Sequence, residues 1–98
     1  MLIIAGHLEL DPSQRADYLA AHNDLIARGR QADGCLDLAI SADALRPDRV
    51  NLFERWASEE ALDAWRAVSD APEVNVEFRG GDIQKYVIDH AAPAFGQP

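Results

Sequence analysis

NLFERWASEEALDAW, residues 51–65, is a strand that runs straight into a helix. The strand spans Arg49–Trp56 and carries Val50, Leu52, Phe53 and Trp56, residue types that suit a pleated, half-buried surface. It stops at Ala57 and Ser58. Ser58 is a good helix N-cap, and Glu59 and Glu60 place negative charge on the first helical turn, where the backbone dipole favours it. Ala61, Leu62, Trp65 and Val68 then share one helical face. The two tryptophans stand at the two ends of one strand-turn-helix unit.

Working outward toward the start, Leu2–Leu10 reads as a strand. Leu2, Ile4, Gly6, Leu8 and Leu10 point one way; Ile3, Ala5, His7 and Glu9 point the other. Both faces begin apolar, so both are expected to be covered. Asp11, Pro12 and Gln14 form a helix start, and the helix is expected to run to about Ala32 and stop at Gly34. Arg15, Tyr18, Leu19, His22, Leu25, Ile26 and Gly29 share its apolar face. Cys35–Ala42 alternates as a second strand, and residues 43–48 form a connection with Pro47 and Asp48 as turn residues. After the central unit, residues 70–82 are irregular, with Pro72 and the pair Gly80–Gly81. Residues 83–91 are expected to be the last strand and 93–98 a tail.

The order β-α-β-β-α-β predicts a ferredoxin-like α+β domain, an antiparallel four-stranded sheet with two helices on one face. Two helices leave the second sheet face bare. A homodimer packed sheet against sheet is therefore expected, as a dimeric α+β barrel.

The chain of 98 residues reads as a single domain over residues 1–98. A chain this size buries roughly 60–65% of its extended surface, enough for a modest core. It lacks an apolar run long enough to span a membrane, and LIIAGHLEL lacks the basic flank of a signal peptide. A formal charge of −8 argues against nucleic acid and anionic membrane as partners. The single cysteine, Cys35, forms no internal disulfide, and the cytoplasm is the expected location.

The run Glu54-Arg55-Trp56-x-Ser58-x-Glu60-Ala61-Leu62 resembles the E-x-W-x-S-x-E-A-L signature of the antibiotic biosynthesis monooxygenase family. Ala5-Gly6-His7-Leu8-x-Leu10-Asp11-Pro12, Tyr18-Leu19, Gly34-Cys35-Leu36-Asp37 and Ser41-Ala42-Asp43 are similar to its quinol monooxygenase type. The resemblance spans the chain from Leu2 to about His90. It implies a monooxygenase acting on a quinol or phenol, small or polycyclic, with dioxygen and without metal, flavin or other cofactor. Trp56 matches the tryptophan that ends the family's third strand. Where some members carry an asparagine four residues earlier, this chain has Leu52, and Asn51 beside it points the other way. Trp65 stands where many members have histidine and the haem-degrading members have tryptophan. The iron-ligating histidine of the latter, ten residues on, is Asn75 here, and their first-strand asparagine falls on His7.

The candidate proton-transfer residues are His7 and His22, because imidazole exchanges protons near neutral pH. Each also reads as an ordinary, hydrogen-bonded, partly buried histidine. The two face each other if the first strand packs under the first helix. Trp56, Trp65, Tyr18, Tyr86 and Asn75 are the candidate pocket residues, the tryptophans by stacking on an aromatic ligand and the tyrosines by hydrogen-bonding its oxygen. Core packing is the alternative for each aromatic. Two histidines without a third ligand at suitable spacing make a poor metal site, so no metal is expected. A non-catalytic small-molecule-binding dimer and a haem-degrading enzyme are the alternative functions.

Overall fold

A computed structural model describes residues 1–96. The order is β1 (Leu2–Leu10), α1 (Pro12–Ala21), α2 (Asn23–Gln31), β2 (Cys35–Ala42), β3 (Arg49–Trp56), α3 (Glu59–Val68) and β4 (Phe78–Val87). The four strands form one antiparallel sheet in the order β2-β3-β1-β4. This is the ferredoxin-like arrangement expected from the element order. The helices lie on one side. On that side Leu2 and Ile4 pack with Trp56, Leu62 and Trp65, while Leu10 and Val50 pack with Tyr18. Ser58 caps α3 by accepting a hydrogen bond from the Ala61 amide at 3.1 Å, as its position before the two glutamates predicts.

The first helix departs from the sequence reading. It is not continuous to Ala32 but breaks at His22. The cause is local. The His22 ring donates Nδ1–H to the Tyr18 carbonyl at 2.7 Å, occupying the acceptor that its own amide would use in an α-helix. The His22 amide bonds Leu19 O instead, at 3.1 Å, a 3₁₀-type contact. Asn23 then opens α2. Farther along, Gly29 lets α2 approach the sheet closely, because a Cβ there would collide with the Leu38 side chain and crowd the Trp65 ring.

The last strand also departs. It covers Phe78–Val87 rather than residues 83–91, so the Gly80–Gly81 pair lies inside a strand and not in a loop. β1 is long enough to pair along this whole stretch, from Leu2 with Val87 to Leu10 with Phe78, with a bulge between Glu9 and Leu10. Gly81, at φ +157°, brings β4 against β1 where a Cβ would meet His7 O at 2.8 Å. Of the tail expected over residues 93–98, the last two lie outside the described residues.

The far sheet face carries Ile3, Ala5 and His7 from β1, Asn51 and Phe53 from β3, and Asp82 and Tyr86 from β4. No helix covers it among the described residues. At one end of this face Asn51 Nδ2 donates to Asp43 Oδ1 at 3.0 Å and Arg49 Nε donates to Asn51 Oδ1 at 2.7 Å. Asn51 thus ties the β2–β3 connection to the sheet. That bond, with the amides of Arg46 and Leu45 and the charge of Arg49, holds the Asp43 carboxyl down at about 2, from an ordinary 3.8. A lowered folded-state value means that its contribution is complete above about pH 4 and is lost as pH falls through about 2. Amide exchange at Leu45 and Arg46, which both donate to Asp43 Oδ2, is therefore expected to accelerate between pH 4 and 2 relative to amides of the central strands. Unchanged relative protection across that window would contradict this account of the connection.

Candidate active site

The space between sheet and helices is divided. One core cluster gathers around Trp56, Trp65, Leu62, Leu2 and Ile4; the other gathers around Leu10, Tyr18 and Val50. Gly6, which has no side chain, lies on β1 between Ile4 and Leu8, and Leu52 is its partner on β3. The helices cross this seam. α1 sits over the second cluster at Tyr18, and α2 sits against Leu38 and Trp65 at Gly29. Leu38 pairs with Glu54. Leu25 and Leu52 pack against the first of these clusters.

His22 is 7% exposed. Its ring lies against the Tyr18 ring, with centroids 4.2 Å apart. Because Nδ1 bonds a carbonyl, that nitrogen carries the hydrogen and Nε2 carries the lone pair of the neutral ring. No buried side-chain nitrogen or oxygen among the described residues lacks a hydrogen-bond partner, and the His22 side chain bonds only through Nδ1. Nε2 therefore makes no protein hydrogen bond and meets accessible space.

Tyr18, whose ring lies against His22, lines a cleft of about 340 Å³ between α1 and the irregular segment before β4. Gln14, Asp17, Tyr18 and Ala21 form one wall; Val74, Asn75 and Val76 form the other. Phe78 meets the Tyr18 ring edge-on at 5.6 Å. Burial pushes the Tyr18 phenol above its ordinary value, so it remains a hydrogen-bond donor at neutral pH. A more polar cleft of about 310 Å³ adjoins at Gln14, lined also by Asp11, Glu77 and Arg79. There Arg79 bonds Asp11 at 2.8 Å and clamps the start of β4 to the start of α1.

The expected site residues divide between the two sides of the sheet. His22, Tyr18, Trp56, Trp65 and Asn75 are on the helix side. His7 and Tyr86 are on the far face, His7 between Asn51 and Asp82 and Tyr86 beside Ile3. The two histidines do not face each other: successive strand residues alternate sides, and His7 has the parity of Ile3 rather than of Leu2. Trp56 is fully buried and stacks on Trp65, with centroids 6.4 Å apart and an interplanar angle of 24°. The Arg28 guanidinium lies 5.7 Å from the Trp65 ring centroid.

One residue was not among those candidates. Glu54 shares the helix-facing side of β3 with Leu52 and Trp56, and accepts a hydrogen bond from Trp56 Nε1 at 2.9 Å. Period-2 alternation across residues 52–56 carried this signal, since any face that holds Trp56 must hold Glu54. Burial, then the carboxylates of Glu54 and Asp37, raise the thiol of nearby Cys35 above its ordinary value. Among the described residues no three His, Cys, Asp or Glu side chains come close enough to share a metal ion.

Comparison with known proteins agrees with this geometry. The model of the antibiotic biosynthesis monooxygenase family matches residues 1–71. Rv0793 from Mycobacterium tuberculosis superposes with a TM-score of 0.68 at 22% identity, over 93% of this chain and 98% of that one. MhuD, a heme-degrader from the same organism solved with two hemes in its active site, superposes with a TM-score of 0.66 at 13% identity, over 95% of this chain and all of that one (100%). By sequence, the uncharacterized protein sll1783 of Synechocystis is 24% identical over 62 residues, 63% of this chain. The match spans only 42% of that relative's length.

Proposed function

Because the chain belongs to the antibiotic biosynthesis monooxygenase family, we propose that it oxygenates an electron-rich phenol or quinol with dioxygen, using its own side chains and no cofactor. The observation that carries this reading is His22, a buried imidazole with Nδ1 fixed on a carbonyl and Nε2 left as a base. His22 Nε2 takes the phenolic proton. The phenolate transfers an electron to dioxygen, and the resulting radical pair joins at a C–H carbon ortho or para to the phenolic oxygen. The O–O bond then breaks as that carbon loses its proton, leaving a new C=O. The protonated His22 returns its proton, so one substrate and one dioxygen give one quinone and one water. The protein's part is to orient the ring and move the proton. The apolar walls from Tyr18, Ala21, Val74 and Val76 suit an aromatic body.

His7 and Tyr86 take a different role in this reading. With Ile3, Ala5 and Phe53 they belong to the face on which a second copy packs, completing a homodimer. Sedimentation equilibrium tests that part: a monomer at tens of micromolar protein would refute it. Haem degradation is less well supported. The position that would supply an iron-ligating histidine is Asn75, whose amide is a poor ligand.

Oxygen uptake by metal-free protein across a panel of phenols and quinols tests the activity. Uptake proportional to protein concentration, with a quinone product, is the expected outcome. A folded protein that consumes no oxygen with any of them would leave a binding protein of this fold.

A further inference from the structure

We propose that residues 70–77 are a gate, a strap that lifts away from α1 to admit a ligand to the cleft beside Tyr18. The inference rests on the preceding reading only in taking that cleft for the substrate site. The strap arises because its partner strand runs out. β1 pairs with β4 as far as Leu10 opposite Phe78, and by Pro12 the chain has turned into α1. The residues before Phe78 keep the alternation of a strand with no strand to pair with. Pro72, Val74 and Val76 are half-buried, whereas Glu73, Asn75 and Glu77 are exposed. Among the described residues no main-chain to main-chain hydrogen bond reaches residues 70–76. Two side chains hold the segment instead. Gln14 Nε2 donates to Asn75 O and Arg28 Nη2 to Asp70 O, each at 3.4 Å, longer than an ordinary N–H···O bond.

The two ends are fixed more firmly. α3 precedes the strap, and just inside β4 Arg79 bonds Asp11 at 2.8 Å. Asp70, at φ +49°, makes the turn out of α3 in the left-handed region and is the pivot. Beneath the strap lie a ligand-sized space and an unpaired donor. Val74 and Val76 rest on the cluster of Leu10, Tyr18 and Val50, yet the cleft of about 340 Å³ remains between them and α1. Tyr18 is 6% exposed. Its hydroxyl bonds no protein group among the described residues, yet no buried oxygen there lacks a partner, so the hydroxyl meets open space. A segment held by two valines and two long bonds opens without disturbing the sheet beside it.

Acetylation of Tyr18 by N-acetylimidazole, mapped by peptide mass spectrometry, tests this without ligand or oxygen. N-acetyltyrosinamide in the same solution is the fully exposed standard. Wild-type Tyr18 is expected to react more slowly than the standard. Its rate relative to the standard is expected to stay constant in urea well below the unfolding transition, because a local opening exposes little surface. Val74→Ala combined with Val76→Ala is expected to raise the Tyr18 rate about tenfold, from the apolar contact removed. Gln14→Ala is expected to raise it about twofold or more. A relative rate that climbs with urea as steeply as global unfolding would overturn the inference, since the strap would then open only with the whole protein. So would a Tyr18 as reactive as the standard, or one that ignores all three substitutions. Slow, urea-insensitive acetylation in a protein that consumes no oxygen would refute the oxygenase reading and leave the gate standing.

Discussion

Trp56→Ala is expected to destabilise the protein by about 3–5 kcal/mol, the usual cost of emptying a large aromatic from a core. The ring is fully buried in the larger core cluster, against Leu2, Ile4, Leu62 and Trp65. Its removal takes away the stack on Trp65 and leaves the Glu54 carboxylate without its indole donor. Domains of this kind are stable by about 5–15 kcal/mol, so this single change would consume a large share of the total. Chemical denaturation with urea, analysed for midpoint and slope, measures it. A loss below about 1 kcal/mol would mean that the ring contributes little to the core, contrary to its burial.

His22→Ala is expected to reduce turnover by about 10²–10⁴-fold, the range that a positioned base supplies. It would also release the Tyr18 carbonyl to the ordinary helical pattern, so a change in backbone could mimic a change in chemistry. His22→Asn separates the two effects. Its amide can still donate to that carbonyl and preserve the break between α1 and α2, but it has no basic nitrogen. Both variants should lose turnover alike, while His22→Asn keeps the wild-type helical circular dichroism more fully. Oxygen uptake at saturating phenol decides the matter. An asparagine variant that retained wild-type rate would remove His22 from the chemistry.

The sheet was legible because its strands carry strong alternation. Leu2–Leu10, Cys35–Ala42 and Arg49–Trp56 have the bounds expected of them. The two errors have one origin each. At His22 the helical spacing of apolar residues continues unbroken, so periodicity gives no sign of a side chain competing for a backbone acceptor. At Gly80–Gly81 a glycine pair, usually a mark of a turn, serves close approach between strands, which only the pairing partner reveals. The site was half legible. Tyr18 and His22 share a helical face, and their proximity follows from that spacing. The side of the sheet occupied by His7 also follows from parity. The condition under which it would face His22 is not met, because the helices cover only the other side. Glu54 was overlooked because a charged residue on a strand is ordinarily read as facing water.

β4 has further significance for how the protein behaves in a test tube. It is an edge strand of 10 residues, and Ile83, Tyr86 and Val87 along it are 37%, 50% and 72% exposed. Such a strand is a template on which other chains can add. The net charge of −8 opposes this at neutral pH by keeping molecules apart. Near the isoelectric point of about 4.6 that repulsion vanishes. Buffer acidity thereby becomes a colloidal variable, and neutral or mildly alkaline solutions are the conditions for concentrating the protein without precipitation.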